Sequence, residues 1–148
     1  MLLELEEARH DLLRAVEGLS EMGMMRPLTE SSWSAKDILL HVASWDELRC
    51  FEIARVTRGD RPLYAELRED DFAAWNAILM SVRRDLSCDQ VLRELNHARE
   101  NVLAVIASVP DETLAEVAPG RGRIRRAAAH DREHAAQLRE GRERARLR

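Results

Sequence analysis

Five histidines are spread along the 148 residues, and two of them, His130 and His134, lie four apart. On an α-helix that spacing separates two side chains by about 40° around the axis and about 6 Å along it, so both imidazoles can address one point from one helix. Neutral imidazole is a ligand for zinc, nickel, copper or iron(II). Two helical histidines joined by a third protein donor make an arrangement that leaves one coordination position open for water or substrate. The alternative for an H-x-x-x-H pair in an arginine-rich helix is two solvated or core-edge histidines. His41 is the best third donor, because it falls on a stripe with Asp37, Ile38, Trp45 and Leu48 that should face the interior. A buried histidine can equally be satisfied by a carbonyl or a carboxylate. His10 and His97, near Arg9, Asp11 and Arg99, read as surface residues or as supports for the ligands.

Other reactive types are placed less tellingly. Asp131 and Glu133 flank the histidine pair, but helical geometry turns both away from the line through His130 and His134. Asp37, one turn before His41, is at least as good a partner for an imidazole, and no catalytic role is assigned to any of the three. Cys50 lies half a turn around the helix from His41, so a Cys–His dyad is not expected. Cys88 sits at a helix start, where the macrodipole could lower its pKa, although a structural thiol is the better expectation. Trp33, Trp45 and Trp75 are expected in the core, with pocket lining as the alternative. Met22, Met24 and Met25 either fill gaps or mark an adaptable surface.

The elements that must position these residues all have helical periodicity. Leu2, Leu5, Leu12, Leu13, Val16 and Leu19, with Glu4, Glu6, Glu7 and Arg9 between them, predict a first helix over 2–22, stopped by Gly23 and Pro27. Ser34 followed by Asp37 resembles a capping box and opens a second helix that runs to about Arg58, before Gly59 and Pro62. Residues 60–68 read as a connection. Phe72, Trp75, Ile78, Leu79 and Val82 then predict a third helix. Ser87 and Gln90 cap a fourth, which reaches about Val109. Pro110, Pro119, Gly120 and Gly122 make 110–123 the longest irregular connection, and a last helix runs from Ile124 to about Arg144. No strand or fixed repeat is predicted. The expectation is an all-α, four-helix bundle with a short additional helical segment, forming one domain over 1–148.

Composition agrees and excludes other classes. With 45% hydrophobic and 34% charged residues, four prolines and six glycines, the chain is neither disordered nor collagen-like. Two cysteines make no disulfide framework, and there is no signal-peptide pattern or 18-residue apolar run, so a soluble cytoplasmic protein with no membrane partner is expected. All basic residues except Lys36 are arginine. Residues 1–120 carry 13 basic and 23 acidic side chains, and residues 121–148 carry 10 and 4. The basic segment could touch nucleic acid or an anionic substrate, but solvated arginines complementing a helix C-terminus explain it more simply. Nucleic acid is not expected as the main partner, since no recognition motif accompanies the basic segment and the rest of the chain is acidic.

The segments WSAKDILLHVASWD (33–46) and HDREHAAQL (130–138) resemble the DinB/YfiT-like superfamily of four-helix bundles, whose members are candidate metalloenzymes. The matching positions are Trp33, Ser34, His41, His130 and His134. Residues 72–76 (FAAWN) and the Ser87 start are also similar to the ClbS/DfsB-like branch. The resemblance implies a divalent metal, zinc or nickel, held by His41, His130 and His134 near one end of the bundle. It also implies a homodimer and, in some relatives, transfer of a low-molecular-weight thiol to an electrophile. Other relatives have no known reaction. The 110–123 connection is short and free of aromatic residues where a substrate-enclosing loop would be expected, so an open or small pocket is anticipated. Three functions follow as expectations: a metal-dependent hydrolase or thiol transferase acting on a small molecule, with residues 121–126 drawing in an anionic group; a stress-associated binding or sequestration protein; or a homodimeric interaction module with residual histidines.

Overall fold

A computed structural model describes residues 2–29, 32–61, 68–109 and 123–146. They form six helices: α1 (Leu2–Val16), α2 (Glu21–Met25), α3 (Ala35–Thr57), α4 (Glu69–Val82), α5 (Cys88–Ser108) and α6 (Arg123–Arg146). No strand occurs among the described residues, only an isolated bridge between Pro27 and Ser34. The all-α expectation holds. The predicted connections fall largely at 62–67 and 110–122, outside the described residues.

Local chemistry explains the boundaries. The predicted first helix is in fact two. α1 stops at Val16 because Gly18 adopts φ 74°, a left-handed conformation that glycine takes without a Cβ penalty. Ser20 then restarts the chain by accepting from the amide of Gly23, giving α2. The capping boxes at Ser34/Asp37 and Ser87/Gln90 are both present. Gly59, at φ 83°, follows the end of α3. α4 starts earlier than its apolar residues suggest, because the Asp71 carboxylate accepts from the backbone amide of Arg68.

Four long helices make the bundle. One apolar cluster joins Leu12 and Val16 of α1, Ile38 to Ala43 of α3, Val91 and Leu95 of α5, and Ala135 and Leu138 of α6. A second joins Leu5 and Ala8, Ile53 and Val56, Val102 and Ile106, and Ala127 and Ala128. The order of these residues along each helix makes α1 and α6 parallel to one another and antiparallel to α3 and α5. α4 is the returning crossover. It rests on α3 through Trp45, whose Nε1 donates to Asn76 Oδ1 at 3.0 Å, and through Arg83, which binds Glu47 at 2.6 Å and the Ser44 hydroxyl at 3.1 Å.

Between the two clusters every long helix contributes buried charge: Arg9 from α1, Asp46 and Arg49 from α3, Arg99 from α5 and Asp131 from α6. Arg9 binds Asp131 at 2.9 Å and Asp46 at 2.8 Å; Arg99 binds Asp46 at 2.9 Å and Asp131 at 3.1 Å; Arg49 binds Asp46 at 2.7 Å. Burial alone would raise the pKa of Asp46, but the guanidinium groups of Arg49, Arg99 and Arg9 hold it below the usual carboxylate range. Arg9 is therefore not one of the polar residues outside the first apolar stripe, as its sequence context implied. It is 4% exposed.

Candidate metal centre

His41 is carried by the first half of α3, and His130 and His134 by the middle of α6. The Ser34 cap fixes where α3 begins, which sets the phase that turns His41 inward. Its neighbours Leu40 and Val42 are fully buried, and His41 itself is 7% exposed. On α6 the four-residue spacing does what helical geometry requires: the His130 and His134 Nε2 atoms are 3.1 Å apart. His41 Nε2 lies 3.1 Å from His130 Nε2. The three sequence-predicted histidines thus come together, with one ligand atom from each lying within 4.8 Å of the others. His10 and His97 are exposed and take no part.

The proton inventory of this trio fits a cation. A ring nitrogen offers either one N–H or one lone pair, so His130 Nε2 cannot satisfy both His41 and His134 by ordinary hydrogen bonds. Three lone pairs aimed at one ion can. Donors about 2.0–2.1 Å from a tetrahedral ion stand about 3.3 Å from each other, close to the separations seen here. Charge state agrees. Burial first, and then the repulsion that a proton on His41 would meet from a protonated His134 and from Arg49, push the His41 pKa down to about 3. Burial, Arg49 and the neighbouring imidazoles drive His130 further in the same direction, and burial lowers His134 despite its bond to Gln137. All three rings are neutral at pH 7, the form that binds metals.

The His134 tautomer is also set. Its Nδ1 lies 2.8 Å from Gln137 Oε1, an acceptor, so Nδ1 carries the proton and Nε2 presents its lone pair. Gln137, one turn beyond His134, is a supporting residue that spacing could have flagged and the sequence reading passed over. His130 Nδ1 is buried and has no hydrogen-bond partner among the described residues.

Of the three carboxylates considered as partners, two are engaged elsewhere and one is exposed. Asp37 accepts from the amide and hydroxyl of Ser34 at 2.9 and 2.6 Å, Asp131 belongs to the buried ionic layer, and Glu133 is exposed. Aromatic rings take the surrounding positions. Trp33 stands 5.0 Å from His41 between ring centroids, and Trp45 stands 6.1 Å from His41 and 6.3 Å from His130. Phe72 of α4 lies 5.8 Å beyond Trp45. Trp33 and Trp45 are half-buried beside the histidines, and Trp33 also packs against the apolar core, as expected of it.

Neither cysteine joins the site. Burial, with Asp46 and Glu47 nearby, raises the Cys50 thiol to about 11. Burial and Glu21 raise Cys88, so the dipole at its helix start does not prevail. A groove of about 690 Å³ between α1, α2 and the start of α5 is lined by Leu13, Val16, Met24 and Leu92, and none of the three clustered histidines borders it. Residues 121 and 122 of the basic run lie outside the described residues. Further along α6, arginines do structural work: Arg142 donates to the Ala15 and Glu17 carbonyls at the end of α1, and Arg139 binds Asp11 at 2.6 Å.

No described helix is long and apolar enough to cross a membrane. No curated protein and no solved structure matches the chain. The family model described as DinB superfamily matches residues 4–138, a span that includes all three histidines, and the chain belongs to that superfamily.

Proposed function

From a DinB-superfamily bundle whose three histidines could hold a metal ion, we propose a metal-dependent enzyme in which His41, His130 and His134 are the ligands of a divalent cation, zinc or nickel. The observation that carries this reading is the meeting of three neutral imidazoles, in which His130 Nε2 stands 3.1 Å from both His41 Nε2 and His134 Nε2, two contacts that one ring nitrogen cannot satisfy with ordinary hydrogen bonds. A bound ion would supply Lewis acidity, lowering the pKa of a water or a low-molecular-weight thiol so that the nucleophile is available near neutral pH. The chain's own residues hold and orient. Gln137 fixes the proton of His134 on Nδ1, and Trp33 and Trp45 shield the imidazoles from bulk water.

Engagement of Asp37, Asp46 and Asp131 in a cap and in ion pairs favours thiol transfer over hydrolysis. A thiol ionised by coordination needs no further base, whereas activation of water commonly recruits a nearby free carboxylate. The same engagement favours, as a second reading, a protein that binds a metal or small ligand without turnover.

Metal analysis of the purified protein tests the centre. About one zinc or nickel per chain is expected, falling to a small fraction when His41→Ala and His134→Ala are combined; equal content in the two proteins overturns the reading. Consumption of a low-molecular-weight thiol with a model electrophile then separates the classes, because metal binding with no metal-dependent turnover leaves sequestration. Exposed Ile78 and Val82 on α4 fit a homodimer, which a 17 kDa particle in light scattering would contradict.

A further inference from the structure

The four long helices pack as two pairs. α3 lies along α5 and α1 along α6, whereas α3 meets α6 over a much narrower front. The metal centre straddles that seam, with His41 on one side and His130 and His134 on the other. Apolar clusters join the two pairs toward either end, and between those clusters donors to one ion must stay within a few tenths of an ångström of their places.

Two arginines cross the seam at this level, in reciprocal fashion. Arg9, on α1, holds Asp131 of its own pair through Nε at 2.9 Å, and reaches over to Asp46 at 2.8 Å and to the Leu95 carbonyl of α5 at 2.6 Å. Arg99, on α5, holds Asp46 of its own pair through Nε at 2.9 Å, and reaches back to Asp131 at 3.1 Å and to the Leu5 carbonyl of α1 at 2.7 Å. Each planar fork thus fixes a distance and an angle between the pairs, which a lysine ammonium, a point charge, cannot do. Asp131 follows His130 directly, and Asp46 lies just over one turn beyond His41, so each carboxylate sits on the stretch of helix that carries a ligand. Both arginines are 4% exposed, and both carboxylates are fully buried.

We propose that Arg9 and Arg99 are positioning residues for the metal centre: their crossed ion pairs with Asp46 and Asp131 set the α3–α6 separation at which His41 meets His130 and His134. The proposal rests on the metal reading above, and cobalt(II) is the probe, because its visible absorption reports ligand geometry as well as occupancy. The wild type should bind cobalt with a spectrum that His41→Ala abolishes. Arg9→Lys and Arg99→Lys, each keeping the charge and losing the fork, should keep the helical circular dichroism but bind cobalt about tenfold or more weakly, with shifted bands. Asp131→Asn, which keeps the shape of the side chain, should do the same if a lysine variant fails to fold.

Ile106→Ala, in the apolar cluster at the α5 C-terminal end, supplies a comparison of similar instability; its affinity and spectrum should match the wild type. Wild-type affinity and spectrum in both lysine variants, or an equal loss in Ile106→Ala, overturns the positioning role while leaving the metal reading intact. Absence of His41-dependent cobalt binding in the wild type instead overturns the metal reading and, with it, this inference.

Discussion

His41 is held neutral by burial down to about 3, whereas the same imidazole in an unfolded chain titrates near 6.5. Below about 6.5 the unfolded chain takes up a proton that the folded chain refuses, so acid favours unfolding until the folded-state value is passed; above 6.5 the group contributes no pH dependence. His130 and His134 are shifted in the same direction. The metal-free protein should therefore lose stability as pH falls from 6.5 toward 3, and His41→Gln should flatten part of that slope. Urea midpoints at pH 7.5 and 5.0 measure it, and a wild-type difference no larger than the variant's would refute the assignment. Cys50 gives a second residue-level expectation. With its pKa near 11, only about one molecule in a thousand carries the thiolate at pH 8, so labelling by a thiol reagent should be far slower than in denaturant. Native labelling at the denatured rate would contradict that burial.

Elements follow from a few local decisions, and these were unequally visible in the sequence. The Ser34 and Ser87 caps could be read because a hydroxyl and an acid or amide three residues apart have one favourable arrangement at a helix start; Ser87→Ala should cost about 1 kcal/mol in urea unfolding. The H-x-x-x-H pair and the inward phase of His41 were legible for the same reason, since both depend on one helix at a time. Gly18 was not read as a break, because left-handed φ is a property of the folded chain that apolar spacing does not encode. The ionic layer was hidden differently. Arg9 keeps the spacing of Leu5, Leu12 and Val16, and Arg99 that of Leu95, Val102 and Ile106. A charge in register with an apolar stripe is the available signal, but its partners lie on other helices. Gly141 is likewise explained only by its neighbour: a Cβ there would stand 2.7 Å from the Leu28 carbonyl oxygen and 2.9 Å from its Cβ. Gly141→Ala should thus destabilise by about 1–3 kcal/mol, although alanine is the better helix former. An unchanged or raised melting temperature would count against that close contact.

At the scale of the whole molecule, two apolar clusters are separated by a charged layer, with the histidine centre alongside it. Breaking such a layer by removing one partner costs about 3–5 kcal/mol, because a buried charge is left uncompensated. Asp46→Ala, which removes a carboxylate shared by three guanidinium groups, should accordingly be far more damaging than removal of the exposed Arg132–Glu4 pair, and thermal unfolding of the two variants measures the contrast. The pairing of α1 with α6 also orders events in time. A ribosome delivers α1 first and α6 more than a hundred residues later, so α1 waits for its main packing partner while α3 and α5 are made. His41 waits as well, and the three histidines can meet only when α6 arrives. A metal held as proposed would therefore be captured only after α6 is made, since a nascent chain halted after Ser108 holds one of the three imidazoles.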